Sequence, residues 1–107
     1  MWGELAILRR LAPPEHEFKV TPITVTSSAV EYTTQLTEGK GRTGLFVYNN
    51  SNSASGECYW GDSAVTQHNG MPIPTGAIIQ VMIPPDGNPY FCSAFGEVGD
   101  LRVLETS

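Results

Sequence analysis

Ala77-Ile78-Ile79-Gln80-Val81-Met82-Ile83 is one of several short stretches in which apolar side chains recur at every second position. The recurring residues are Ile79, Val81 and Ile83 here, and Leu101 and Val103 in a second stretch, Asp100–Glu105, where Glu105 falls on the same parity. A period of two places successive side chains on opposite faces of a strand, so one face of each stretch is expected to line a core. Several such strands at short spacing are typical of a β-sandwich or a small barrel.

Gly, Pro and Asn separate about eight of these stretches, which leaves almost no room for helix. The predicted strands are Phe18–Thr26, Val30–Leu36, Gly44–Tyr48, Glu57–Trp60, Met71–Ile73, Ala77–Ile83, Tyr90–Phe95 and Asp100–Glu105. Pro22 interrupts the first strand and favours an edge position or a bulge. We therefore expect an all-β protein: a single small antiparallel β-sandwich, jelly-roll-like, over residues 17–107, preceded by a short N-terminal arm or helix over residues 1–16.

The first fourteen residues differ from the rest in pattern. Met1, Leu5, Leu8 and Ala12 share one helical face, and Pro13-Pro14 ends any helix at or before Ala12. One interpretation is an element that folds back onto its own sandwich, and the other is an arm that docks on another subunit or protein. The predicted partner-binding residues of this arm are Trp2, Leu5, Leu8, Arg9, Arg10 and Leu11.

Charge excludes one large class of partners. The net charge is −5, and from Thr21 onward eight acidic residues face three basic ones (3 − 8 = −5). Such a body would repel phosphates, so a nucleic-acid partner is not expected. Neither a secretory signal nor an apolar stretch of about 20 residues is visible, so no membrane partner is expected either.

Two cysteines, Cys58 and Cys92, fall in predicted strands. A disulfide would require those strands to be neighbours with suitable geometry, which the sequence does not decide. The favoured interpretation is two reduced, buried thiols that pack as small apolar side chains.

Residues with catalytic or metal-binding chemistry do not cluster in the sequence. His16 and His68 are far apart, whereas a metal-binding sandwich enzyme would need grouped His and carboxylate ligands. Ser63 lacks a nucleophile elbow, and neither cysteine has a histidine nearby in sequence. We therefore predict a protein that is not an enzyme, without catalytic residues, metal or cofactor.

Aromatic residues suggest a possible ligand contact. They gather late in the chain, as Tyr59, Trp60, Tyr90, Phe91 and Phe95. Sugar-binding sandwiches often combine exposed Tyr or Trp faces with nearby Asn and Asp, and the available polar residues are Asn50, Asn52, Asp62 and Asn69. Because Tyr59 and Trp60 alternate along one strand, at least one should be exposed; the two are the candidate ligand-contact residues, and core packing of the aromatics is the alternative.

Four motifs resemble those of small accessory virion proteins of tailed bacteriophages. They are Gly44–Ser51 (GLFVYNNS), Cys58–Thr66 (CYWGDSAVT), Asn69–Gly76 (NGMPIPTG) and the terminal strand Asp100–Glu105 (DLRVLE), so the likeness covers roughly residues 42–105. The motifs also have a physical logic of their own, because Asn and Gly suit the ends of strands and the apolar members suit a core. The expected core residues among them are Val47, Trp60, Val65, Ile73 and Val103.

The resemblance implies a structural virion protein, made in the host cytoplasm, that decorates and cements the outer surface of a bacteriophage capsid. Its implied partners are the major capsid protein and further copies of itself, as a trimer or dimer. Two alternatives stay open: a virion-borne carbohydrate-binding or host-surface-binding module, and a tail or neck connector subunit.

Overall fold

Eight β-strands form over the residues that the computed structural model describes, which are 16–37, 41–52 and 56–107. The strands are β1 (Phe18–Val25), β2 (Val30–Glu31), β3 (Gly44–Asn49), β4 (Cys58–Gly61), β5 (Met71–Ile73), β6 (Ile78–Gln80), β7 (Tyr90–Ser93) and β8 (Gly99–Thr106). Helix does not occur within these ranges. The predicted all-β class is therefore confirmed for the described part of the chain.

The strands form two four-stranded antiparallel sheets in a sandwich-like arrangement. One sheet has the order β1-β8-β3-β6 and the other has the order β2-β7-β4-β5. The pairing is nested along the sequence: β1 pairs with β8, β2 with β7, β3 with β6, and β4 with β5. Most of the ladder contacts are therefore made between residues that are distant in sequence.

The hydrophobic core draws on both sheets. Its buried members are Val25, Tyr32, Leu45, Val47, Cys58, Ile73, Val81, Phe91, Leu101 and Val103. Each fully buried aliphatic or aromatic side chain of this kind contributes about 1.5–3 kcal/mol relative to exposure. The alternation of β8 is complete, because every second residue from Gly99 to Glu105 is buried. Leu101 and Val103 face the core as predicted.

Most of the predicted core residues are buried. Val47 and Val103 lie in the first sheet, Ile73 lies in the second, and Val65 is 3% exposed in the loop between β4 and β5. Trp60 differs, since it is only partly buried while packing against the core.

Two predicted strands have less than half of their expected length. Of the predicted strand Ala77–Ile83, only Ile78–Gln80 forms a strand, β6. It begins after Ala77 because the Ala77 N–H donates to the Pro74 carbonyl in a turn that includes Gly76, whose φ is 79°. Glycine adopts such a positive φ without a steric penalty. At the other end, only the Val81 N–H continues the pairing, to the Leu45 carbonyl at 2.8 Å.

Of the predicted strand Val30–Leu36, only Val30 and Glu31 form a strand, β2. The Tyr32 N–H then bonds the Pro89 carbonyl, and the Gln35 N–H bonds the side chain of Glu105. Within the segment that follows, Thr34 is exposed, whereas Tyr32 and Leu36 are buried. The segment leaves the ladder after Tyr32, because the Gln35 N–H donates to a carboxylate and not to the backbone of a neighbouring strand.

Pro22 and the two cysteines follow their predictions. Pro22 lies in β1, an edge strand that pairs without a bulge, opposite Arg102.

Cys58 and Cys92 are buried and unbonded in the neighbouring strands β4 and β7. Cys58 lies opposite Ser93 and Cys92 lies opposite Tyr59, so the two thiols project from opposite faces of the sheet and cannot pair.

The predicted N-terminal arm lies outside the described residues, apart from His16. The described ranges include no helix that is long and apolar enough to cross a membrane.

Candidate functional site

The outer face of the sheet β1-β8-β3-β6 carries a group of apolar side chains. Strand register places side chains of all four strands together on this face, which we call the apolar face: Phe18, Val20, Phe46, Tyr48, Ile78 and Leu104. Val20 and Phe46 flank Leu104, while Ile78 lies opposite Tyr48. Residues directly opposite each other on one face of an antiparallel pair are about 4.5–5.5 Å apart, so the six side chains form one continuous surface.

Half of this surface is strongly exposed. Phe18 is 75% exposed, Ile78 71% and Val20 54%, while the remaining three side chains are half-buried. All of these side chains except Phe18 line a shallow groove of about 170 Å³, and Arg102 lines it as well. Contiguous exposed apolar patches are unusual on a monomeric protein and mark a surface that contacts another molecule.

The opposite face of the molecule is different. On the outer side of the second sheet the Tyr90 hydroxyl donates to Glu31 Oε2 at 3.3 Å, and Asn88 donates to the same oxygen at 3.5 Å. An antiparallel sheet with one solvated face normally shows such polar residues outside. This outer face therefore combines polar contacts with the apolar side chains of Tyr59 and Pro72.

An ion pair borders the apolar face. Arg102 Nη1 contacts Asp100 Oδ1, and Asn50 Nδ2 donates to the other oxygen of Asp100 at 3.0 Å. The hydrogen bond from Asn50, with that from Arg102, holds the pKa of Asp100 below its usual value. Both charged side chains are more than a third exposed, so this pair orients the border and adds little stability.

Trp60 lines a second depression, which we call the Trp60 cleft. It has a volume of about 250 Å³ and is lined by Trp60, Gly61, Asp62, Val65, Asn69 and Met71. The indole Nε1 is buried without a hydrogen-bond partner among the described residues. The structure thus brings together three of the residues considered for ligand contact: Trp60, Asp62 and Asn69.

The turn between β4 and β5 already uses much of the polar capacity of this cleft. Asp62 Oδ1 accepts from the Ala64 N–H at 2.9 Å, and Asn69 Oδ1 accepts from the Thr66 N–H at 2.7 Å. Asn69 Nδ2 donates to the Ala64 carbonyl. These bonds give Asp62 and Asn69 a structural function in the turn.

Tyr59 does not join Trp60 in one site. Tyr59 lies opposite Cys92 on the outer face of the second sheet, whereas Trp60 lies opposite Phe91 on the inner face. Asn50 is bonded to Asp100, away from both aromatic residues. The two candidate ligand-contact residues therefore belong to different surfaces.

A buried polar cluster centres on Glu105, which is on the inner face of β8 near the C-terminal end of the strand. Glu105 Oε1 accepts from the Tyr32 hydroxyl at 2.5 Å and from the Gln35 N–H at 2.9 Å. Glu105 Oε2 accepts from Thr34 Oγ1 at 2.7 Å and from Arg42 Nη1 at 3.4 Å. The cluster joins the segment after β2 and Arg42, two residues before β3, to β8.

Ionisation in this cluster follows from its hydrogen bonds. Burial by itself would raise the pKa of Glu105, but the bonds from Gln35, Tyr32, Thr34 and Arg42 outweigh burial and lower it. Burial, together with the bond to Glu105, raises the pKa of the Tyr32 hydroxyl. The cluster therefore holds an ionised carboxylate and a neutral phenol. The sequence analysis did not predict this cluster. The feature that could have indicated it is Glu105, a glutamate on the same, core-facing parity as Leu101 and Val103.

A groove of about 390 Å³ adjoins this cluster, between the start of β3 and the residues after β6, with Val81, Ile83 and Pro84 in its wall. Arg42 is the cation among the residues that line it. Its guanidinium bonds Glu105 and the Gly87 carbonyl, and its side chain is 4% exposed. The charge of Arg42 is thus matched inside the protein, so the groove offers no uncompensated cation to an anionic ligand.

The histidines remain apart in the structure. His16 Nδ1 lies 3.3 Å from the Ser107 carbonyl oxygen, and His68 is exposed in the turn after β4. In the part of the chain that the structure describes, no three His, Cys, Asp or Glu side chains are grouped so as to hold a metal ion.

The predicted partner-binding residues, Trp2, Leu5, Leu8, Arg9, Arg10 and Leu11, lie outside the described residues. The apolar face is therefore the surface within the described ranges that best fits a contact with another protein. Comparisons of the chain with protein-family models, with curated proteins and with solved structures found no match.

Proposed function

We propose that this chain is a structural protein that decorates and stabilises the outer surface of a bacteriophage capsid. The observation that carries the proposal is the apolar face, with Phe18, Val20 and Ile78 more than half exposed. Removing apolar surface from water contributes about 25 cal/mol per Å², before the entropy of association is subtracted. A protein with such a face works by contact with other protein surfaces.

The choice of a capsid as that surface rests on the resemblance of residues 42–105 to small accessory virion proteins of tailed bacteriophages. The charge supports the outer side of the shell, because the net charge of −5 would be repelled by packaged nucleic acid. On a lattice, each copy would contact the major capsid protein and neighbouring copies of itself. Multivalent placement strengthens such binding without any further contact.

We also propose that the two sheets form a jelly roll. The nested pairing supports this topology: the first four strands pair in reverse order with the last four, as in an antiparallel ribbon that has been rolled up. Viral capsid domains are among the proteins that use jelly rolls. Fold does not determine function, so this likeness adds only to the plausibility of a virion role.

Particle binding tests the proposed function. Capsids of the parent phage, assembled without this chain, would be mixed with the purified protein and sedimented, and the bound copies would be counted. We expect saturable binding at hundreds of copies per particle and a higher temperature of capsid disruption. Binding of a dozen copies or fewer would indicate the tail or neck connector instead, and the absence of binding would refute a virion role at this surface.

A matched pair of variants links that binding to the apolar face. Ile78→Glu changes a side chain that is 71% exposed on the face, and Phe95→Glu changes one that is 85% exposed in the loop between β7 and β8. Because both side chains are largely in solvent, both variants should fold. We expect Ile78→Glu to reduce particle binding at least tenfold and Phe95→Glu to leave it within twofold.

A second candidate function is carbohydrate binding at the Trp60 cleft. The observation that favours it is the indole Nε1 of Trp60, which lacks a hydrogen-bond partner among the described residues while lining a depression with Asp62. Glycan-array screening followed by titration calorimetry tests it, with Trp60→Phe removing the N–H and Tyr59→Phe as the control on the other face. Absence of binding at millimolar sugar would exclude this function.

A further inference from the structure

We propose that this protein forms a two-fold dimer in which β6 pairs antiparallel with β6 of a second copy, with the axis at Gln80. The contact is the outer edge of the sheet β1-β8-β3-β6. This pairing needs no capsid. It goes beyond the proposed function, because it assigns self-association to the edge of the sheet and leaves the apolar face free for another protein.

One side of the β6 backbone is unpaired. β6 pairs with β3 alone, and within the described ranges no other strand lies beside it. The Val81 N–H donates to the Leu45 carbonyl, so the backbone groups of Val81 point to β3. Because these groups alternate along an antiparallel strand, those of Ile78 and Gln80 point away from the sheet, and Met82 has the same parity. These three residues therefore form the free edge.

The other three edge strands carry residues that oppose pairing. They are Lys19 and Pro22 in β1, Glu31 in the two-residue β2, and Pro72 in β5. Charged residues and proline are common means by which an edge strand is kept from joining another sheet. β6 contains neither, and residues 69–85 include no Asp, Glu, Lys or Arg. The β6 edge is therefore the one among the described strands that lacks this protection.

One register matches both the backbone and the side chains of this edge. With the axis at Gln80, Gln80 lies opposite its own copy, and Ile78 lies opposite Met82 of the second copy. The N–H and C=O groups of all three residues then pair between the chains. Ile78 is 71% exposed and Met82 79%, so the register also brings together two uncovered apolar side chains. An axis at Ile79 would instead place Ile78 opposite the amide of Gln80.

The pairing closes with two copies. A two-fold contact uses the same strand of both copies, so the β6 edges are fully occupied in the dimer. The axis is perpendicular to the sheet, because opposite residues of an antiparallel pair share one face. The apolar faces of both copies therefore lie on the same side of one continuous sheet. A dimer would present two such faces to a single surface, which increases the strength of binding by multivalency.

Disulfide trapping tests the pairing and its register. Opposite residues in a hydrogen-bonded pair have Cα atoms about 5.5 Å apart, a distance that a disulfide can span. Full-length Ile78→Cys and Met82→Cys, mixed and oxidised, should give a heterodimer at about twice the 11.6 kDa mass of one chain. Cys58 and Cys92 add little background, since both are buried.

The single variants are the controls for this experiment. Ile78→Cys alone and Met82→Cys alone should each give less than a tenth of the product, because identical positions lie about 14 Å apart in this register. Equal yields from the single variants and the mixture would overturn the proposal. A higher yield from Ile78→Cys mixed with Gln80→Cys would also overturn it, because that result places the axis at Ile79.

Exchange of charges gives a second test of the same contact. Ile78→Lys and Met82→Glu should each lower the association constant at least tenfold, because each places a charge against an apolar side chain of the other copy. The double variant should recover at least threefold. Positions 78 and 82 of one chain are about 13 Å apart along the strand, so only a contact between copies can produce that recovery. No recovery would contradict the register.

Sedimentation measures the dimer directly. For the wild type we expect a mass that rises with concentration towards that of two chains. Gln80→Pro should stay a single chain and remain folded, because the N–H that it removes points away from β3. Gln80→Thr is the matched control and should dimerise within threefold of the wild type. A wild type that is monomeric at millimolar concentration would overturn the proposal.

Particle binding separates this inference from the proposed function. Dimers that do not bind capsids would leave the pairing of β6 standing and refute the proposed function. Capsid binding by a wild type that neither dimerises nor cross-links would do the reverse.

Discussion

Glu105 Oε2 lies 3.4 Å from Arg42 Nη1, and the two side chains are 0% and 4% exposed. The pair joins Arg42, two residues before β3, to the inner face of β8, and three further donors reach the same carboxylate. Replacing a whole buried ion pair by apolar groups is often neutral, but removing one partner leaves an uncompensated charge. The cluster is therefore a sensitive point of the fold.

Glu105→Gln should lower the free energy of unfolding by about 3–5 kcal/mol, because Arg42 is left buried without its counter-charge. Arg42→Met should lower it less, since Glu105 keeps its bonds from Tyr32, Thr34 and the Gln35 N–H. Urea unfolding of both single variants and the double variant measures the coupling between them. The opposite order of the single variants would contradict the assigned network.

Acidification should destabilise the protein through the same residue. The folded-state pKa of Glu105 is lowered, so its contribution is complete above the unfolded value of about 4.3 and is lost as the pH falls through the folded value. Urea midpoints measured between pH 7 and pH 3 should decline below about pH 4.5. Glu105→Gln should flatten that decline. An equal decline in the variant would mean that other carboxylates cause the effect.

Gly99→Ala should destabilise the protein by about 1–3 kcal/mol through overpacking. An added Cβ would lie 2.3 Å from Cys58 Sγ and 2.9 Å from Val25 Cγ2. Gly41→Ala is the control, because a Cβ there would meet nothing within 4 Å, and its effect should stay within about 0.5 kcal/mol. Thermal unfolding compares the two variants. Adding Cys58→Ala to Gly99→Ala should recover part of the loss, and a further loss of stability would contradict this packing.

The two cysteines should resist modification in the native protein. Burial raises the pKa of Cys58 to about 11 and also raises that of Cys92, so almost no thiolate is present at pH 8. With a chromogenic disulfide reagent we expect no rapid reaction in buffer and two equivalents of thiol after unfolding in urea. One rapid equivalent in buffer would show that a thiol is accessible.

The local pattern of apolar and turn residues in the sequence was sufficient to predict much of the fold. The alternation in Asp100–Glu105 predicted the inner parity of β8, and the turn residues predicted where most of the eight strands end. The same reasoning failed for Val30–Leu36. A strand needs a neighbouring backbone to bond, and there the Gln35 N–H bonds a carboxylate 70 residues away instead.

The candidate sites, too, could be predicted from the sequence only in part. Alternation placed Tyr59 and Trp60 on opposite faces of one strand, as the register of β4 also places them. It left unspecified which outer residues would become neighbours. Val20, Phe46 and Ile78 come from three separate strands, and only the order β1-β8-β3-β6 brings them onto one surface.

By itself the sequence determined that this protein is built of short strands with an alternating inner face, because side-chain parity is a local property of extended backbone. Tertiary structure decided the rest: which strands pair, that Glu105 meets Tyr32 from 73 residues away, and that the outer face of one sheet carries a group of apolar side chains. These features depend on contacts between residues distant in sequence, which exist only once the two sheets have assembled.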